Sequence, residues 1–125
     1  MATVLVVDDE FGIAELFDAV LTDEGHRVLT AMDGRDGMEI LATERPDLIF
    51  LDFMMPVMDG AAMLDALLID PNLRDAPIVM MSSMPAETVA ERCSGYVAIM
   101  RKPFRISEIM DLTERLLGKG GDRAA

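Results

Sequence analysis

Val4-Leu5-Val6-Val7-Asp8-Asp9-Glu10 and Leu48-Ile49-Phe50-Leu51-Asp52 share one plan: an apolar run that stops at carboxylates. Between them the period changes. Ile13, Leu16, Phe17, Val20 and Leu21 fall at i, i+3, i+4, i+7 and i+8, one face of a helix over residues 11–24. Gly25 follows, where a helix often needs a left-handed residue. Arg27 to Ala31 reads as a second strand, more polar than the others and suited to an edge. Asp33-Gly34 reads as a turn or cap before a helical stripe of Met38, Leu41 and Ala42.

After Asp52 the alternation continues. Residues 61–69 read as a helix entered through Asp59-Gly60, and Ile78-Val79-Met80-Met81 is a strand stopping at Ser82-Ser83. Residues 86–93 suit a short helix with Pro85 in its first turn. Val97 to Met100 is the fifth run, stopping at Arg101-Lys102-Pro103. Ile106, Ile109, Met110, Leu116 and Leu117 mark the last helix, ended by Gly118. Five strands alternating with five helices imply an α/β domain, a parallel sheet covered by helices on both faces. Continuous apolar strands agree, because a strand buried on both faces does not alternate.

Composition narrows the class. The chain has 125 residues, 51% of them hydrophobic, which suits one domain with a core needing no staples. Eleven basic and 23 acidic residues leave a net charge of −12. Such a surface disfavours direct contact with nucleic acid or an anionic membrane. A single cysteine, Cys93, excludes an internal disulfide framework. No apolar run approaches the ~18 residues of a membrane span, and Met1-Ala2-Thr3-Val4 lacks a charged leader. The expectation is a soluble, cytoplasmic domain.

Ligands of open parallel sheets bind outside the carboxyl ends of the strands. Asp8 and Asp9 follow the first strand, Asp52 ends the third, Ser82 follows the fourth and Lys102 the fifth. Three crowded carboxylates repel one another and raise each other's pKa. A hard cation such as Mg²⁺ relieves that repulsion, and a lysine and a hydroxyl can hold phosphoryl oxygens. The set suits phosphoryl transfer to a carboxylate acceptor. Each piece alone is ordinary: Asp-Asp is a common solvated turn, and an Asp after a strand a common helix cap. Their shared placement at one end of successive βα units is what points to chemistry.

The chain resembles the receiver domains of two-component response regulators, in particular the stand-alone, chemotaxis-regulator-like ones. The matching pieces are Val4 to Glu10, Asp47 to Asp52, Met55-Pro56-Val57-Met58-Asp59-Gly60, Pro77 to Ser82 and Lys102-Pro103-Phe104. The resemblance implies a flavodoxin-like fold with strand order 2-1-3-4-5. It implies a receiver over 1–117 and a polar tail over 118–125. It implies Asp52 as phosphoacceptor, Mg²⁺ on Asp9, Asp52 and the Met54 carbonyl, and Asp8 acting through a metal-bound water. Ser82 corresponds to the switch hydroxyl, Lys102 to its partner lysine before a typically cis proline, and Gly60 to the glycine of the loop after the acceptor. The partners implied are a histidine kinase or histidine phosphotransfer protein and a downstream protein target. The expected molecule is a switch that catalyses only its own phosphorylation and dephosphorylation. Eight residues follow Leu117, so output through protein contact is expected; a linker to further chain is the alternative.

Three positions depart from the family pattern. Ile99 stands where a tyrosine or phenylalanine is usual and is read as a core residue. Ser82 to Lys102 is about two residues shorter than common, so the fourth helix should be short. Ser83 replaces a small alanine and is read as a helix cap rather than a second phosphate ligand. Twelve methionines are read chiefly as core filling; the sharper alternative has Met54 and Met84 slowing water attack at the site. His26 reads as a surface turn residue and Cys93 as a packed helix residue. A Mg²⁺-dependent phosphohydrolase would place its nucleophile after the first strand with an Asp two positions on, and here Asp8-Asp9-Glu10 stands there. A flavin module would want a Ser/Thr/Gly-rich loop and stacking aromatics, which Asp-Asp-Glu, no tryptophan and one tyrosine do not supply.

Overall fold

A computed structural model of the chain describes residues 1–118. The tail expected over 118–125 lies outside the described residues, Gly118 excepted. The strands are β1 (Thr3–Val7), β2 (Arg27–Ala31), β3 (Leu48–Asp52), β4 (Ile78–Ser82) and β5 (Ala98–Arg101). The helices are α1 (Phe11–Asp23), α2 (Gly34–Leu41), α3 (Gly60–Ile69), α4 (Ala86–Arg92) and α5 (Ile106–Leu117). All pairs are parallel and the sheet order is β2-β1-β3-β4-β5, as the resemblance implies.

Alternation along each strand divides the core. Leu5, Val7, Ile49, Leu51, Ile78 and Met80 face one way, onto α2, α3 and α4 through Leu41, Met63, Leu64, Leu67 and Val89. Val4, Val6, Phe50, Val79 and Met81 face the other way, onto α1 and α5 through Phe17, Leu21, Ile109 and Leu112. Phe17 anchors the second layer, its ring 4.7 Å from Phe50 and 5.7 Å edge-on from Phe104. Each such fully buried side chain contributes about 1.5–3 kcal/mol. β3 and β4 are buried throughout, whereas β2 and β5 are partly exposed as sheet edges.

Local chemistry sets the helix ends. Asp33 and Asp59 cap α2 and α3 by accepting from the amides of Asp36 and Ala62. Gly118 ends α5 in the left-handed region, at φ 67°. Three details differ from the sequence reading. β5 starts at Ala98 and includes Arg101, because pairing with β4 puts Arg101 opposite Ser82 and leaves Val97 outside, 55% exposed. Pro85, not Ser83, is the N-cap of α4; Ser83 instead lends its carbonyl to Arg101 Nε at 3.2 Å. His26 is more than a turn residue, since its Nδ1 accepts the Ala2 amide at 3.2 Å. Ile99 packs half-buried against the layer holding Met80 and Val89. α4 has only 7 residues, as its short span requires, and Cys93 is its buried C-terminal cap residue. Among the described residues no helix is long and apolar enough to cross a membrane.

Candidate functional site: an acid cluster at the carboxyl edge

β1 and β3 are neighbours, so their ends bring acids from distant sequence together. The loop after β1 is pinned where the Asp8 amide donates to the Ala31 carbonyl at 3.0 Å. Asp8 is fully buried, with Oδ1 accepting the Glu10 amide at 2.8 Å. Asp52, the last residue of β3, is 4% exposed, while Asp9 lies open to solvent. One carboxylate oxygen from each of Asp8, Asp9 and Asp52 lies within 4.8 Å of the others. Among the described residues no other group of His, Cys, Asp and Glu closes up this way.

Lys102 follows β5, and its amide donates to the Ser82 carbonyl at 2.8 Å, which fixes the lysine beside the end of β4. Its ammonium lies 2.8 Å from Glu10 Oε1, 2.9 Å from Asp8 Oδ2 and 3.3 Å from Asp52 Oδ1. The Lys102–Pro103 peptide is cis. Ser82 is buried, and its Oγ accepts the Met84 amide at 2.8 Å. Met54 and Met84 are 57% and 37% exposed, whereas Met80 and Met81 are core. The methionines near the site thus divide between rim and filling. Gly60 is required by contact: a Cβ there would strike the Asp52 carbonyl oxygen and lie 2.8 Å from Phe53 Cα.

The electrostatics carry a conflict. Burial, then the charge of Asp8, pushes the Asp52 carboxyl up to about 7 despite Lys102. Burial also raises Asp8, against the Glu10 amide and Lys102. Burial alone would lower the Lys102 ammonium, but Glu10, Asp8 and Asp52 together raise it. Asp8 Oδ2 is buried with no hydrogen bond, only the ion pair to Lys102. One ammonium against three clustered acids leaves negative charge uncompensated. An all-oxygen donor set whose buried Asp8 Oδ2 is met only by an ion pair fits a hard divalent cation. All five side chains singled out from sequence, Asp8, Asp9, Asp52, Ser82 and Lys102, lie at this edge. Glu10 joins them, and sequence reasoning assigned it no role; its place directly after Asp8-Asp9 was the available signal.

Known proteins share this plan. Residues 4–114 match the family model described as the response regulator receiver domain. The chain is 35% identical over 116 residues to sporulation initiation phosphotransferase F of Bacillus subtilis, covering 91% of this chain and 92% of that one. A chemotaxis response regulator of Vibrio cholerae superposes with a TM-score of 0.87 at 30% identity, covering 94% and 99% of the two chains. The receiver domain of a sensor histidine kinase from Pseudomonas aeruginosa, solved with a magnesium ion coordinated in its active site cleft, gives a TM-score of 0.86 at 26% identity over 94% and 98%. Fold, strand-end acids and these matches agree that this chain belongs to the response regulator receiver domain family and is a signalling receiver of two-component systems rather than a classical enzyme.

Proposed function

We propose that the chain, as a receiver unit over 1–117, accepts a phosphoryl group on Asp52 from a histidine kinase or histidine phosphotransfer protein and thereby switches a protein-binding surface. The observation that carries this reading is the buried Asp52 carboxylate, clustered with Asp8 and Asp9 and 3.3 Å from Lys102. The partner presents a phosphohistidine. An Asp52 oxygen forms the new P–O bond as the P–N bond breaks, and the imidazole leaves with the electron pair. Asp9, Asp52 and the Met54 carbonyl would hold Mg²⁺, with Asp8 acting through a metal-bound water, and the ion would supply positive charge against the phosphoryl oxygens. Lys102 supplies more, as a mobile point charge beside the acceptor. Water later attacks the phosphorus, the bond to the Asp52 oxygen breaks, and inorganic phosphate leaves, so the carboxylate is restored.

Ser82 turns this chemistry into a signal. Its hydroxyl is held within its own loop by the Met84 amide. A phosphoryl group on Asp52 offers a stronger, charged acceptor, and leaving Met84 for it carries the β4–α4 loop along. Ile99 provides no hydroxyl to follow, so the change passes through α4 and the packed layer around Ile99. A location in the cytoplasm, where kinase domains and downstream targets meet, suits this role.

Incubation with Mg²⁺ and acetyl phosphate, read by intact mass, tests the reading. Wild type should gain one phosphoryl group, and Asp52→Asn should gain none. Labelling that persists in the Asn variant would overturn the assignment.

A further inference from the structure

Glu10 occupies the N-cap of α1, yet its side chain makes no capping hydrogen bond. Glutamate is also a poor choice there; Asp, Asn, Ser or Thr would reach the orphan amides of the first turn. Its carboxylate goes to Lys102 instead, at 2.8 Å, the shortest of that ammonium's three ion pairs. Its backbone amide meanwhile donates to Asp8 Oδ1. One residue therefore grips both a cluster acid and the lysine paired with the cluster. Glu10 itself stands outside the trio of acids that close on one point, and its side chain is 61% exposed.

Without a cation, Lys102 is the counterion of Asp8 and Asp52. A dication entering between those acids repels an ammonium only a few ångströms away. Lys102 must then withdraw, but not far, because a phosphoryl group on Asp52 still needs it. We propose that Glu10 is a positioning residue that draws the Lys102 ammonium aside from Asp8 and Asp52, so that a divalent cation can take those acids while the lysine stays at hand. The inference rests on the reading of the cluster as a Mg²⁺ site. It explains why α1 forgoes a side-chain cap at its N-cap.

The test is calorimetric titration with Mg²⁺ alone, without phosphodonor. Glu10→Gln should weaken Mg²⁺ binding about three-fold, the scale of a partly exposed ion pair. Glu10→Asp separates position from charge: it keeps net charge, but the shorter acid suits the α1 cap instead of Lys102. It should raise the thermal midpoint and still bind Mg²⁺ about three-fold more weakly, a combination that mere structural damage would not produce. In a Lys102→Ala background, Glu10→Gln should have no further effect. The proposal is overturned if either Glu10 variant binds Mg²⁺ as tightly as wild type, or if the loss persists undiminished without Lys102, which would mark Glu10 as acting directly on the cation. Normal wild-type binding with unaltered variants would remove this inference alone; a wild type that takes neither Mg²⁺ nor a phosphoryl group would remove the proposed function as well.

Discussion

At the amino-terminal end of the sheet, Asp47 Oδ2 accepts the Thr3 amide at 2.9 Å, Arg27 forks onto Glu44 at 2.8 and 3.1 Å, and His26 receives the Ala2 amide. At the carboxyl-terminal end, Asp8, Asp9 and Asp52 crowd one lysine, and a buried carboxylate oxygen lacks a hydrogen bond. The same strands carry both ends. Polar groups at the first end answer one another and stabilise the fold. The acids at the second end repel one another by more than the single Lys102 ammonium offsets, until something from outside the chain joins them. The difference separates what holds this molecule together from what it is poised to bind, and it predicts opposite responses to mutation.

The sharpest break in that comparison comes from backbone, not charge. Gly60 lets α3 start directly beneath Asp52, its amide donating to the Phe53 carbonyl at 3.0 Å. Gly60→Ala puts a methyl group against backbone atoms of Asp52 and Phe53, which cannot yield as a side-chain tip could. A loss of about 3 kcal/mol or more is expected in urea denaturation. A near-neutral result would mean that the frustrated edge is soft.

Next in size is the paired test of charge. The Asp52 carboxyl is raised from an ordinary 3.8 to about 7. The folded state therefore holds a proton that the unfolded chain releases near pH 4. The stabilising contribution is full below pH 4 and lost as pH rises to 7. Without metal, Asp52→Asn should be more stable than wild type at pH 8 by roughly 2–3 kcal/mol, allowing for solvent screening at the cluster, and the gain should fade towards pH 5. Asp47→Ala, at the other end, should lose about 1.5–3 kcal/mol, the value of a hydrogen bond to a charged group. Denaturation across pH 5–8 checks both. Equal signs for the two variants would erase the distinction between the ends.

Much of this architecture is legible in the chain because strands buried on both faces must be written as unbroken apolar runs. Leu48 to Leu51 could hardly be anything else, and Asp52 is conspicuous for ending such a run. Parallel connection then delivers every strand end to one edge, so Asp8, Asp9, Asp52, Ser82 and Lys102 could be grouped before any coordinates. What stayed hidden depends on rotamers and registers. Glu10 and Lys102 are 92 positions apart, and no local pattern says that a glutamate will turn from its helix to a lysine. Val97 looks like strand in composition, yet pairing of Ser82 with Arg101 shifts β5 past it. His26 looks idle in sequence because its donor is a backbone amide.

The smallest expected effect probes a second cost at the carboxyl edge. Val57, in the loop after Asp52, has φ 68°, and the Met58 amide donates to the Pro56 carbonyl at 2.7 Å across it. That bond and that angle define a three-residue turn of the strained, left-handed kind, centred on a β-branched residue that is 76% exposed. The turn persists because its neighbour is held: the Met58 carbonyl accepts the Gly34 amide at 3.0 Å, and Met58 lies against Gly34 at the start of α2. Strain of about 1–2 kcal/mol is expected for a non-glycine residue there. Val57→Gly removes it but gives the unfolded chain more freedom, worth about 0.5–1 kcal/mol. A net gain of about 0.5–1 kcal/mol should appear as a higher urea midpoint at unchanged slope. Val57→Ala, which keeps a Cβ in the same region, should recover less. If the glycine variant gains nothing, the loop carries no stored strain, and the cost of the carboxyl edge lies in its charges alone.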